Sequence, residues 1–257
     1  MSRRWPDHLW IVRHGQSSGN VARDLADAAG HAHIDIAERD VDVPLSALGE
    51  EQARALGKWF GAMDLRPTVV LSSPYLRAVQ TAELVRKGGG TTRDASRRVD
   101  ERLREREFGV LDRLTRSGIE QRFPDQAEAR TRIGKFYHRP PGGESWCDVI
   151  LRLRSVLDTI SLHHSSPGSR VLIVAHQVVV LCLRYLIEDM SESEILAIDR
   201  LDDVANCGVT AYTRDAADDD GSTDDGALRL VVYNFVAPLE QEGTPVTVHP
   251  DAPVAAR

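Results

Sequence analysis

Short runs of aliphatic and β-branched residues alternate with longer amphipathic stretches along most of this chain. Three of the runs are almost unbroken: His8-Leu9-Trp10-Ile11-Val12, Pro67-Thr68-Val69-Val70-Leu71 and Arg170-Val171-Leu172-Ile173-Val174-Ala175. A strand that is apolar at every position, not only at every second one, is covered on both faces, as in the parallel sheet of an α/β domain. Helices are predicted between them. Residues 46–62 open on a capping Ser46 and carry Leu48, Ala55, Leu56, Trp59 and Phe60 at helical spacing. Residues 74–86 start with a proline suited to a first turn. In 145–162, Val149, Leu153, Val156, Leu157 and Ile160 form one stripe, while 178–187 is apolar almost all round and reads as a buried helix. Late in the chain, 209–213 and 228–236 read as two strands of a hairpin. The pattern predicts a three-layer α/β/α sandwich with a mostly parallel central sheet, one domain over residues 1–237. Residues 21–43 read as a connection long enough to be functional, and 238–257, rich in proline, as an extended or disordered tail.

Composition narrows the classes of function. With 257 residues, 42% of them hydrophobic, the chain can bury a large core. The charge, 32 Lys+Arg against 39 Asp+Glu, is −7, which disfavours nucleic acid as a partner because that binding needs clustered cations. No window approaches the roughly 20 apolar residues of a membrane span, and the basic start lacks the apolar run of a secretion signal. A cytoplasmic protein is predicted, and the scattered Cys147, Cys182 and Cys207 read as buried thiols in a reducing compartment. No metal site is predicted. His31 and His33, near Asp35 and Asp40, have no ligand spacing and read as a polar loop. Residues 215–226 resemble a calcium loop but lack its acidic first ligand and closing Glu, so they read as a solvated hairpin tip. His163-His164 fall at a helix C-terminus, where an imidazolium is mildly favoured.

Four separated segments carry chemistry. They are Arg13-His14-Gly15-Gln16-Ser17 with Asn20, Ser72-Ser73-Pro74 followed by Arg77, the ion-dense Arg102-Leu103-Arg104-Glu105-Arg106-Glu107-Phe108-Gly109, and His176-Gln177. Three of them begin where a predicted strand ends, the edge of an open α/β sheet at which ligands bind. Two arginines, two histidines and helix N-termini are the equipment for a phosphate dianion: bidentate charge-assisted bonds, N–H donors and a positive dipole.

These motifs resemble the histidine phosphatase superfamily, which includes the cofactor-dependent phosphoglycerate mutases. The likeness runs from about Trp10 to Tyr212 and draws in Pro44-Leu45-Ser46 with Leu48-Gly49, Arg77-Ala78-Val79-Gln80-Thr81-Ala82, Gly143-Glu144-Ser145 and Asn206-Cys207-Gly208-Val209-Thr210. The resemblance implies that His14 is the nucleophile that becomes phosphohistidine. It implies that Arg13, Arg77 and His176 hold the transferring phosphoryl group, that Glu105 donates the proton, with Glu107 as its rival, and that Gln16 and Asn20 add neutral donors. Elementary chemistry agrees: an imidazole attacks phosphorus only when neutral, and nearby guanidinium cations favour that form. A carboxyl beside a bound phosphate dianion is likewise held protonated.

The reaction implied is hydrolysis of a small phosphorylated metabolite without metal or other cofactor. Residues 110–141 are short and have no adjacent arginine pair, against the mutase pattern, so phosphoglycerate mutase-type transfer is the alternative, and a catalytically silent phosphate-binding module is another. Gln177 and Lys135 are similar to the fructose-2,6-bisphosphatase branch, as substrate-binding residues, but Leu181 stands where that branch carries Arg. Arg130, Arg132, Lys135, His138 and Arg139 either line the pocket mouth and read a second anionic group or form a basic surface helix. The oligomeric state is left open, a homodimer being one form.

Overall fold

The computed structural model describes residues 4–215 and 226–248. Its centre is a six-stranded sheet in the order β3-β2-β4-β1-β5-β6, with β1 His8–Arg13, β2 Val69–Ser72, β3 Ser96–Val99, β4 Arg170–Ala175, β5 Val209–Arg214 and β6 Leu228–Phe235. The first four strands in that order run parallel, while β5 lies antiparallel to β1 and β6 antiparallel to β5. The pleat explains the unbroken apolar runs. Leu9 and Ile11 of β1, with Val171 and Ile173 of β4, point into one core. Trp10 and Val12, with Leu172 and Val174, point into the other. Helices α6 (Trp146–His163) and α7 (Gln177–Ile187) cover the first face. Helices α2 (Ala47–Gly61) and α3 (Leu76–Lys87) cover the second. The three-layer α/β/α expectation holds.

Several helix starts are written in the sequence. Ser46 caps α2 by accepting from Gly49 N at 3.0 Å, and Ser145 opens α6 in a capping box with Asp148. Pro74 stands just outside α3, whose N-cap is Tyr75, two residues later than predicted.

Four expectations need correction. Residues 21–43 are not merely a connection: α1 (Ser18–Ala28) occupies their first part, capped by Ser17, and a single 3-10 turn, Asp40–Asp42, their last. Only Ala26 of α1 is buried, so the helix lies on the surface. Strand β3 was not predicted either; all four of its residues are exposed, two of them arginines, so it has no apolar signature. Helices α4 (Arg116–Arg122) and α5 (Pro124–Ile133) fill segments without a strong apolar stripe, and α8 (Glu192–Leu201), also outside the prediction, packs Ile195, Leu196 and Ile198 on the first core. Finally, the chain does not leave the domain at 238. Helix α9 (Ala237–Gln241) buries Leu239 completely, and Gln52 Nε2 donates to Pro245 O and Thr247 Oγ1, both at 2.9 Å. The rest of the Pro-rich segment, 249–257, and most of the calcium-like 215–226 lie outside the described residues.

Candidate active site

The sheet brings the four chemical segments to one edge. His14 follows the last residue of β1, Ser73 that of β2 and His176 that of β4. Backbone ladders continue past the strand ends, His14 N donating to Ala175 O at 2.9 Å and Ser73 N to Val174 O at 3.0 Å, so these residues are as rigid as the sheet. Gly15 and Gly49 let the His14 loop lie on the start of α2: a Cβ on Gly15 would meet Gly49 O at 2.5 Å. Asn206 closes the loop from the other side, its Nδ2 donating to His14 O at 2.9 Å.

The two imidazoles meet edge to face, centroids 5.1 Å apart. His14 Nδ1 lies 2.7 Å from its neighbour's carbonyl, Gly15 O. A carbonyl only accepts, so the hydrogen sits on Nδ1 and Nε2 keeps its lone pair. Arg77 Nε stands 3.3 Å from that Nε2. Arg77 NH1 is held by Asp40, through its carbonyl at 2.6 Å and its carboxylate at 2.9 Å. Arg13 NH1 donates to Gln177 Oε1 at 2.9 Å and Val204 O at 2.5 Å.

His176 is fully buried. Burial first, then the charges of Arg77, His14, Arg152 and Arg13, hold it well below the ordinary imidazole range, so it is neutral. Ser73 Oγ lies 2.7 Å from His176 Nε2 and itself accepts from Tyr75 N at 3.3 Å. Nδ1 of the same ring faces Glu105 Oε2 at 3.6 Å, and the tautomer with its hydrogen on Nδ1 lets Nε2 accept from the Ser73 hydroxyl.

Glu105 lines the cleft and Glu107 does not, which separates the two rivals. Glu107 is engaged behind the site, where Tyr75 OH donates to it at 3.0 Å. The segment bearing Glu105 is braced by Glu144, whose carboxylate takes Arg104 at 2.7 Å, Arg152 at 3.0 and 3.1 Å, and Glu107 N at 3.2 Å. Gly143-Glu144-Ser145 thus holds the segment of Glu105 as well as capping α6.

Other expected residues fare differently. Gln177 and Asn20 line the cleft, and Asn20 also completes the cap of α1. Gln16 does not line it: Ser46 Oγ donates to its side-chain oxygen at 2.7 Å. Lys135 is not in the site. Its ammonium is clamped on both Asp199 oxygens at 2.7 Å and lies over the Trp146 ring, since a partly buried cation takes the nearest carboxylate. Arg139 pairs with Asp148, His138 is buried, and none of the five cations of 130–139 lines the cleft, so the pocket-mouth reading of that segment falls.

Sequence reasoning missed the cleft's outer wall. The segment around Ile34 and Ile36 is stitched to 111–115, with Ile34 N donating to Arg113 O at 2.9 Å and Thr115 N to Ala32 O at 3.1 Å. Asp112 and Arg113 line the cleft from the 111–115 segment, with Arg23 from α1 and Asp40 from the 3-10 turn. Among the described residues no cluster of three or more His, Cys, Asp or Glu could hold a metal, and no helix is long and apolar enough to cross a membrane. Cys182 and Cys207 are buried thiols as expected, while Cys147 is half-buried. His164 departs from its reading: burial pushes its imidazole down, outweighing the helix terminus.

A parallel sheet whose strand ends converge two arginines, two histidines and a carboxyl defines a phosphoryl-handling α/β enzyme. The chain belongs to the histidine phosphatase superfamily, whose branch 1 matches residues 9–219. It is 30% identical over 194 residues to a 6-phosphofructo-2-kinase/fructose-2,6-bisphosphatase of Caenorhabditis elegans, covering 76% of this chain and 37% of that protein. It is 29% identical over 220 residues to a phosphoglycerate mutase-like protein of Arabidopsis thaliana, covering 79% and 72% respectively. The chain therefore spans little more than a third of the first of these relatives. Among solved structures, it is 25% identical to a mycobacterial glucosyl-3-phosphoglycerate phosphatase complexed with VO3, with a TM-score of 0.65 over 91% of this chain and 100% of that one.

Proposed function

We propose that this enzyme hydrolyses phosphomonoesters of small metabolites through a phosphohistidine at His14. The observation that carries the reading is the orientation of that ring, its Nδ1–H held by Gly15 O and its Nε2 turned toward Arg77. Nε2 attacks phosphorus while Arg13 and Arg77 neutralise the phosphoryl oxygens. The ester P–O bond breaks, and the alkoxide takes its proton from the Glu105 carboxyl. Water then gives a proton to the Glu105 carboxylate as its oxygen attacks phosphorus, the N–P bond breaks, and its electron pair returns to Nε2. His176, neutral and anchored by Ser73, presents an N–H without adding charge. The guanidiniums supply the positive charge, so the reading calls for no metal. The free thiols fit a reducing, cytoplasmic setting.

Hydrolysis of p-nitrophenyl phosphate in the presence of EDTA tests it. Wild-type protein is expected to release phosphate, and His14→Ala to lose at least about 10³-fold. Persistent turnover in His14→Ala overturns the reading. Interconversion of 3- and 2-phosphoglycerate faster than phosphate release would instead make the enzyme a mutase.

A further inference from the structure

Arg13 is tethered from behind the cup. Its NH1 donates to Gln177 Oε1 at 2.9 Å and to Val204 O at 2.5 Å. The other end of the same amide is engaged as well: Gln177 Nε2 donates to Asp203 Oδ1 at 3.0 Å. Arg13, Gln177 and Asp203 are all buried. A guanidinium only donates and a carboxylate only accepts. An amide standing between them therefore has one orientation, its oxygen toward Arg13 and its NH₂ toward Asp203. Fixing NH1 fixes the plane of the guanidinium, and with it the direction of the other N–H groups. The loop that supplies Asp203 and Val204 also holds the backbone beside the nucleophile. Asn206 Nδ2 donates to His14 O at 2.9 Å, and Cys207 N donates to Arg13 O at 3.0 Å. Asn234, near the end of β6, pins that loop in turn. Its side-chain oxygen accepts from Ala205 N at 2.8 Å, and its Nδ2 donates to Asp203 O at 3.1 Å.

Resting on the hydrolase reading above, we propose that Gln177 and Asp203 are positioning residues for Arg13, a buried donor–acceptor relay that aims its guanidinium at the phosphoryl oxygens. Gln177 then acts on the phosphoryl group through Arg13, and not on the alcohol half of the substrate as the family likeness implies. Asp203, which does not line the cleft, acts through Gln177.

Inorganic phosphate has no alcohol half, so it separates the two roles of Gln177. Gln177→Met fills similar space but neither accepts from Arg13 nor donates to Asp203. Calorimetry is expected to show this variant binding phosphate about tenfold or more weakly than wild type, equivalent to ~1.4 kcal/mol. Asp203→Ala should weaken phosphate in the same way, because the Gln177 amide is then able to turn its NH₂ toward Arg13. Asp203→Asn keeps an acceptor for Gln177 Nε2 and should hold affinity within about threefold of wild type. A role confined to stability would not divide the two Asp203 variants in this way. Unchanged phosphate affinity in Gln177→Met overturns the proposal, as does an equal loss in Asp203→Ala and Asp203→Asn. If thermal melting shows Asp203→Ala unfolded, Gln177→Met and Asp203→Asn decide the matter. Turnover of p-nitrophenyl phosphate that is lost in His14→Ala tests the hydrolase reading separately. With it present, phosphate affinities that do not move sink only the relay. With it absent, the hydrolase reading falls, and the same affinities still decide the relay.

Discussion

Ser73 shows how much a single hydroxyl can determine. It accepts from Tyr75 N and lies 2.7 Å from His176 Nε2, holding a buried neutral ring with Nδ1 toward Glu105. Ser73→Ala leaves the ring free to take the other tautomer. The expected result is a kcat lower by about tenfold with KM little changed, read from steady-state kinetics. A loss confined to KM would show that the tautomer does not matter. The acid can be tested against its neighbour. Glu105→Gln should slow glycerol phosphate hydrolysis by about 10²–10⁴-fold but p-nitrophenyl phosphate far less, since that phenolate departs without a proton. Glu107→Gln, bonded to Tyr75 outside the cleft, should spare that contrast. In the sequence only the family resemblance favoured Glu105 over Glu107, because the two lie two residues apart in an irregular segment. Only the bracing by Glu144 and Arg152 decides which one turns inward.

Among elements, the segment after β6 supports the His14 loop. Thr247 accepts from Asn206 N through its carbonyl and donates from its hydroxyl to Asn206 Oδ1, both at 2.9 Å, and it also binds Gln52. Asn206 holds His14 O, and Gln52 Oε1 holds Gln16 N at 2.8 Å. Deleting 244–257 is therefore expected to lower kcat several-fold and to depress Tm, measured by turnover and thermal melting. Leu239→Ala, a cavity under α9, should cost about 2–4 kcal/mol in urea unfolding. Unaltered kinetics in the deletion would refute the bracing. This docking was not legible: the segment has little apolar pattern, and its hold comes from backbone groups and two hydroxyl or amide side chains. The covered strands β1, β2 and β4 were legible because both of their faces are buried, as were the cup residues at their ends. Strand β3 and the cleft's outer wall were not, since exposed edges and connections carry no period.

At the scale of the whole molecule, burial holds His176 below its ordinary range, and burial with the charges of Arg130 and Arg106 does the same to His138. The unfolded chain takes up protons near 6.5 that the folded protein refuses. Stability contributed by these neutral rings is thus complete above that pH and declines as pH falls below it. Urea midpoints should drop between pH 7.5 and 5.5, and a flat profile would refute the argument. A different consequence follows from the place of β1, flanked by β4 on one side and β5 on the other, its His8 registered with Arg170 and Thr213. In the chain that strand comes long before either neighbour, which begin at Arg170 and Val209. Until those later strands exist β1 is an apolar ribbon without its sheet partners, so His14 and His176 come together only when the long-range pairing of β1 with β4 forms.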